Sequence, residues 1–359
     1  MAYSAKSTLS ENWLLALLLA LALGASTLIS PQSFADAPPG NSGKGNQGKS
    51  DKDSADGGKP HCQKSAQYLF LACKHRSHAE RWERLAECEN LLDTDERRSC
   101  FANNRELIGS AKQNCQTLRG SRKGVCEDIG RDVYQGWKDV DFVGDEDEEE
   151  IVEIEGNDYF PLTPSSTIYL TSSETRINRE VTALTRKINK VTCRIVVEEE
   201  WTITEPDADA DAGILLERVE RLYGEDEDGN VWTCGVLRQQ YDVLLEGKDP
   251  VVVSTEGSWE AGSDGALAGI AMRWTPELGD IERRSYALGI DEDLTEVIDP
   301  ATMASDFVCG SEGTGDCLIL RITTPLSPEG YRDEYYEIGK GLVYSENQIG
   351  EETLDIIQP

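Results

Sequence analysis

The rhythm of apolar and polar residues changes several times along this chain, and each change marks a boundary. Leu14 to Ala25 is an unbroken apolar run of twelve residues with Lys6 ahead of it. That is the core of a signal peptide, well short of the ~20 apolar residues that span a bilayer. Small residues at Ser33 and Ala35 place the cut after Ala35, so residues 1–35 are read as a signal peptide and the mature chain as secreted or periplasmic. No later segment is apolar enough to cross a membrane, so no transmembrane span is expected once the signal is removed. Residues 36–60 carry no large apolar side chain and are rich in Gly, Ser, Lys and Asp, the composition of a disordered linker.

From His61 to about Trp137 there is no proline and the pattern is helical. The first six cysteines, Cys62, Cys73, Cys88, Cys100, Cys115 and Cys126, are spaced 11, 15, 12, 15 and 11 apart, a palindrome. Paired from the inside out, every pair sums to 188, the arithmetic of an antiparallel hairpin that turns near Thr94. Asp93 followed by Glu96 is an Asp-type capping box and starts the second helix there. At ~100° per residue, steps of 11 and 15 advance a helix by about 20° and 60° beyond whole turns, so each arm's cysteines share one face. The expected bridges are Cys62–Cys126, Cys73–Cys115 and Cys88–Cys100, a ladder about 39 Å long at ~1.5 Å per residue. Residues 61–138 are therefore read as a disulfide-linked helical hairpin, whose small core the cross-links supplement.

Residues 139–155, with the run Asp145 to Glu150, read as an acidic linker. Beyond it the apolar period falls to two. In Val191, Cys193, Ile195, Val197, Trp201 and Ile203 one strand face is spelled out, broken only by Glu199. Gly224 to Asn230 reads as a hairpin turn, and the segments around 317–326 and 331–344 as late strands. About ten antiparallel strands are expected in residues 156–347, as one sandwich or half-open barrel, followed by a C-terminal tail at 348–359. The fold class is α+β. In this part Cys309 and Cys317 close a short loop, which leaves Cys193 to pair with Cys234.

Ten cysteines in an exported chain are expected as disulfides. A formal net charge of −32 excludes nucleic acid and anionic membranes as partners, since both are bound through basic patches. All three histidines, His61, His75 and His78, precede the β-rich part, so no Ser-His-Asp or Cys-His machinery can be built there. His75 and His78, three apart beside Cys73, are metal-ligand candidates, but an oxidised cysteine offers no thiolate. Asp207, Asp209 and Asp211, and separately Asp226 and Asp228, are calcium-loop fragments, although neither set completes the twelve-residue loop. No cofactor is expected; calcium is the alternative. Glu256, Glu260 and Asp264 flank Trp259 and are the catalytic candidates, as paired carboxylates beside an aromatic suit glycoside hydrolysis.

The stretches 159–167, 229–232, 254–272, 279–289, 315–328 and 335–346, together with the Cys-rich prelude at 62–126, resemble a family of secreted bacterial proteins. That family has a Cys-rich helical N-terminal segment and a β-rich domain, and no activity is established for it. The resemblance implies secretion and a shared fold and nothing catalytic. The chain departs from the family pattern at Ile168–Tyr169 and at Thr233–Cys234, where aromatics are expected, which makes a Cys193–Cys234 bridge a peculiarity of this member.

The leading functional expectation is a non-catalytic binding or interaction module of the bacterial cell envelope. It would meet an envelope protein, or an apolar ligand held between sheet layers by Tyr169, Trp201, Tyr223, Trp232, Trp259 and Trp274. The alternatives are a carboxylate-dependent hydrolase using residues 254–265 and a calcium-dependent adhesive or matrix protein.

Overall fold

The computed structural model describes residues 61–130, 132–144, 154–164, 168–172, 175–202, 213–242, 249–298, 317–347 and 353–357. Helix α1 spans His61–Glu89 and α2 spans Thr94–Asp128. Asp93 is the N-cap of α2, its carboxylate accepting from the N–H groups of Asp95 and Glu96 at 2.8 and 2.9 Å. Two otherwise orphaned donors of the first turn are satisfied in this way. Arg97 pins the turn by donating twice to the Leu91 carbonyl.

Cys62–Cys126, Cys73–Cys115 and Cys88–Cys100 join the helices, with Cα atoms 5.8, 5.8 and 5.6 Å apart. Helix α1 buries only Ala66 and Cys88, and α2 only Asn104, Cys115, Arg122 and Cys126. So thin a core could not hold two long helices together, and the sulfur rungs constrain the unfolded chain instead.

Helix α2 ends at Asp128, short of Trp137, and Gly130 follows with φ +98°. That left-handed backbone suits glycine and stops a helix. Ile129, Val133 and Trp137 keep a spacing of four, but residues 132–144 form an irregular strap rather than a helix. Trp137 and Val140 pack on a core cluster that contains Phe142, Trp232 and the Cys193–Cys234 bridge. The hairpin root is fixed to the β-rich part by Arg122, which grips Glu292 through Nε and Nη2 at 2.9 and 2.7 Å.

The strands are numerous and range from two to fourteen residues. A small hairpin, β1 (Gly156–Asn157) and β2 (Phe160–Pro161), forms a two-stranded sheet of its own. The first meander is β3 (Ile168–Thr171), β4 (Thr175–Ile188), β5 (Val191–Thr202), β6 (Leu215–Glu225) and β7 (Val231–Asp242). Strands β8 (Val251–Ser254), β9 (Trp259–Glu260) and β10 (Leu267–Met272) all return to pair with β7. Next come β11 (Ile281–Arg283), β12 (Ser285–Tyr286) and β13 (Leu294–Ile298). The second meander continues through β14 (Leu318–Thr323), β15 (Tyr331–Glu337) and β16 (Gly341–Asn347). Residues expected to be a tail supply β17 (Thr353–Ile357), which pairs with both β16 and β3 and so joins the two meanders.

Among the described residues these form one fifteen-stranded antiparallel sheet beside the small hairpin. Its path begins at β11 and ends at β12, and only Arg284 separates those two strands in sequence. A flat sheet cannot bring its two margins to neighbouring residues; this one curls into a half-barrel. The strands outnumber the ten expected because several have only two to four residues and fall below the length at which alternation can be read.

Within the curl the 154–162 segment acts as a plug: Ile154, Phe160 and Leu162 pack with Val196, Tyr223, Met272, Leu320 and Tyr336. Because apolar clusters form on more than one side, β5 does not alternate cleanly. Thr192, Arg194 and Val196 are buried along with Val191 and Cys193. Cys193 of β5 reaches Cys234 of β7 across the intervening β6, with Cα atoms 6.6 Å apart. The register of β6 with β7 skips Cys234, a bulge that moves it off the ladder. The bridge passes Gly224, where a Cβ would sit 3.3 Å from the Cys234 sulfur and 3.0 Å from Val191. Cys317 is also disulfide-bonded, while its expected partner Cys309 lies outside the described residues.

Candidate functional site

One cluster of polar groups lies at the seam around Arg284. Strand β6 contributes Arg221 and Tyr223, β7 contributes Thr233 and Arg238, and the loop before β9 contributes Gly257. The seam adds Arg284 and Ser285, the next turn Asp291 and Asp293, and β15 adds Arg332. Together they line a cleft of about 230 Å³.

Each arginine is aimed by a carboxylate behind it. Glu198 accepts from Arg221 at 2.6 Å and lies 3.4 Å from Arg179. Glu217 holds Arg238 at 2.9 Å. Glu334 takes Arg284 at 2.6 Å, Arg332 at 2.8 Å and the Tyr336 hydroxyl at 2.7 Å. Burial alone would raise the Glu334 pKa, but Arg284 and Arg332, aided by the Tyr336 hydrogen bond, outweigh it and hold the carboxyl well below the usual range. In Glu198 burial is likewise outweighed by Arg221 and Arg179. A guanidinium has five N–H donors, so these pairs orient the arginines and leave donors for a ligand.

The two cleft aspartates differ. Asp291 accepts from Trp259 Nε1 at 2.9 Å and from the Ser285 hydroxyl. Asp293 has its pKa raised, chiefly by burial and then by the neighbouring Asp291 charge, against the pull of Arg332 and Arg284. Among the described residues the buried Thr233 hydroxyl has no hydrogen-bond partner. A buried hydroxyl left unsatisfied costs about 1–3 kcal/mol.

The carboxylates expected to act beside Trp259 do not meet in this cleft. Strand pleating sends Trp259 toward Asp291 and its neighbour Glu260 to Arg186, at 2.6 Å. Glu256 is exposed on the β8–β9 loop. Asp264 is an exposed turn residue with φ +52°. Gly257 is the part of that stretch that lines the cleft. Asp291, Asp293 and the arginines were missed, since none belongs to a short motif. The signal that could have found them was the tandem Arg283–Arg284 followed by the acidic run Asp291–Asp293.

His75 and His78 lie exposed on α1, and no three His, Cys, Asp or Glu side chains cluster in metal-binding fashion among the described residues. Asp226 is buried, and its carboxylate is occupied by the backbone and side-chain N–H groups of Asn230 and by Trp232 Nε1 at 2.7 Å. It closes the β6–β7 turn, with Asp228 exposed at the tip. Asp207, Asp209 and Asp211 lie outside the described residues. Among the aromatics expected to line an apolar cavity, Tyr223, Trp232 and Trp259 are core residues and Trp274 is exposed.

Comparison with protein-family models, with curated proteins and with solved structures gave no match. Among the described residues no helix is long and apolar enough to cross a membrane. The disulfides are compatible with an extracellular or secreted protein.

Proposed function

We propose that the protein is a non-catalytic binding module of the bacterial cell envelope, secreted or periplasmic, whose seam cleft captures a small polar ligand bearing an acidic group. The observation that supports this reading is four arginines fixed around one cavity, with the unpartnered Thr233 hydroxyl in its wall. Arginines held by carboxylates behind them are preorganised, so a ligand carboxylate or phosphate would meet donors already in place. The cavity is the size of one sugar ring or a small organic acid rather than a polymer, and Ser285 and Asp291 add partners for hydroxyl groups. The test is a thermal-shift and calorimetric screen of sugar acids against their neutral sugars, on the wild type and on Arg332→Gln. The acids should raise Tm, the neutral sugars should do so less, and the variant should lose the difference. Equal responses to acid and neutral sugars would refute the reading.

A second reading, a carboxylate-dependent hydrolase, draws support from the raised Asp293 beside Asp291. Turnover of a glycoside or ester that disappears in Asp291→Asn or Asp293→Asn would favour it. Turnover surviving both, but lost in Glu256→Gln with Glu260→Gln and Asp264→Asn, would return the chemistry to the 254–265 segment.

A further inference from the structure

Residues 283–286 feed two separate cavities. Arg284 and Ser285 line the seam cleft, while Arg283 and Tyr286 line another, about 520 Å³, at the hairpin root. The two share no lining residue. Tyr68 of α1, Ile129 and Val133 after α2, Tyr134 of the strap and Leu267 of β10 supply the rest of its apolar wall. Lys64, His61 and Asp132 bring charge or polarity to it.

Arg283 is the anomaly. It is only 6 % exposed, and its guanidinium sits 4.2 Å from the Tyr286 ring centre and 5.3 Å from that of Tyr134. Among the described residues its buried Nε has no hydrogen-bond partner and its side chain makes no ion pair. Glu292, a carboxylate whose field reaches it, is already held by Arg122 and by the Gly289 N–H. Burial accordingly pushes the Arg283 pKa down, with Tyr286, Tyr134 and Glu292 only partly offsetting it. Two tyrosine faces soften the cost of such a cation but leave its N–H fork empty. An unpaired buried charge is the state proteins avoid most consistently.

We propose that the hairpin-root cleft binds a small monocarboxylate with an apolar body, the carboxylate in the Arg283 fork and the body against Tyr68, Val133 and Leu267. A guanidinium fork matches a carboxylate in bidentate fashion, and the mixed aromatic and aliphatic wall suits an aryl or alkyl tail. The volume lies in the range of small-molecule sites, about 300–1,000 Å³. The site is formed jointly by both parts of the protein, so ligand binding would tighten the docking of the hairpin root.

The experiment uses the oxidised full chain with 3-phenylpropionate and decanoate as probes, and 3-phenylpropanamide as the neutral control. Calorimetry should give binding by at least one acid, and at least about tenfold weaker binding by the amide, the usual loss when a charged hydrogen-bond pair is broken. Arg283→Gln should lose that acid preference while melting at the same temperature as the wild type or higher, because the buried charge is gone. Val133→Trp, at an exposed position on the rim, should block the probes and leave the fold intact. The proposal is overturned if neither acid binds at millimolar concentration, if Arg283→Gln binds the acids as the wild type does, or if Arg283→Gln melts lower, which would make Arg283 a structural cation. Preference for a peptide ending in an apolar residue over both small acids would overturn it in favour of a protein partner.

Discussion

Glu292→Gln tests what fastens the hairpin to the sheet. The Arg122 and Glu292 side chains are 10 % and 3 % exposed and make a bidentate contact. Glutamine preserves the shape and can still accept from the Gly289 N–H, but it leaves the Arg122 guanidinium buried without its counter-charge. Removing one partner of a buried pair costs about 3–5 kcal/mol, whereas replacing both with apolar residues of similar volume costs far less. At roughly 2 °C per kcal/mol for a unit of this size, Glu292→Gln should lower Tm by about 6–10 °C. Arg122→Met with Glu292→Met should fall by less than either single change. Calorimetry on the wild type, Arg122→Met, Glu292→Met and the double variant closes the cycle. Hydrogen exchange then locates the loss, which should centre on the root ends of α1 and α2 and spare the tip closed by Cys88–Cys100. A Tm change under about 2 °C for Glu292→Gln, or a double variant worse than the sum of its parts, would refute the claim that this pair holds the root.

Other expectations follow from the same geometry. Gly224→Val would push a side chain into the Cys193–Cys234 bridge and should destabilise by about 1–3 kcal/mol in urea unfolding, whereas Gly229→Ala at the turn should leave that disulfide formed by mass mapping. Replacing Cys62 and Cys126 by serine opens the outermost rung and should cost about 3 kcal/mol, with exchange rising at the root. Glu334 has a lowered folded pKa, so its contribution is complete above the unfolded value of about 4.3 and is lost as pH falls below it. The wild type should therefore lose more stability than Glu334→Gln between about pH 5 and pH 3. Asp293 has the opposite sign. Its raised pKa disfavours the charge, so Asp293→Asn should melt higher than the wild type near neutral pH and lose that advantage below about pH 4.

By itself the sequence determined the local and the covalent parts of this protein. Mirrored cysteine spacings and the Asp93 cap depend only on helix period and on groups a few residues apart, so the hairpin and its turn were legible before any tertiary contact was known. The β-rich class was legible for the same reason, through the apolar alternation written along the β5 segment, although burial in that strand does not follow it cleanly. The helical reading of residues 129–137 failed because a spacing of four also serves a strap lying on a sheet. The assignment of 348–359 as a tail missed β17, since pairing with β3 is a contact nearly the whole domain away. Closure of the sheet on itself around Arg284, and with it the meeting of Arg221, Arg238, Arg332, Asp291 and Asp293, was decided only by the tertiary structure. The β6–β7 pair, the turn at 291–293 and β15 are far apart in sequence, and no local period records which margins a twisted sheet will bring together. The isolation of Arg283 is of the same kind: among the described residues its charge is unpaired only because the fold sets Tyr134 of the strap, far away in sequence, and Tyr286 against it instead of a carboxylate.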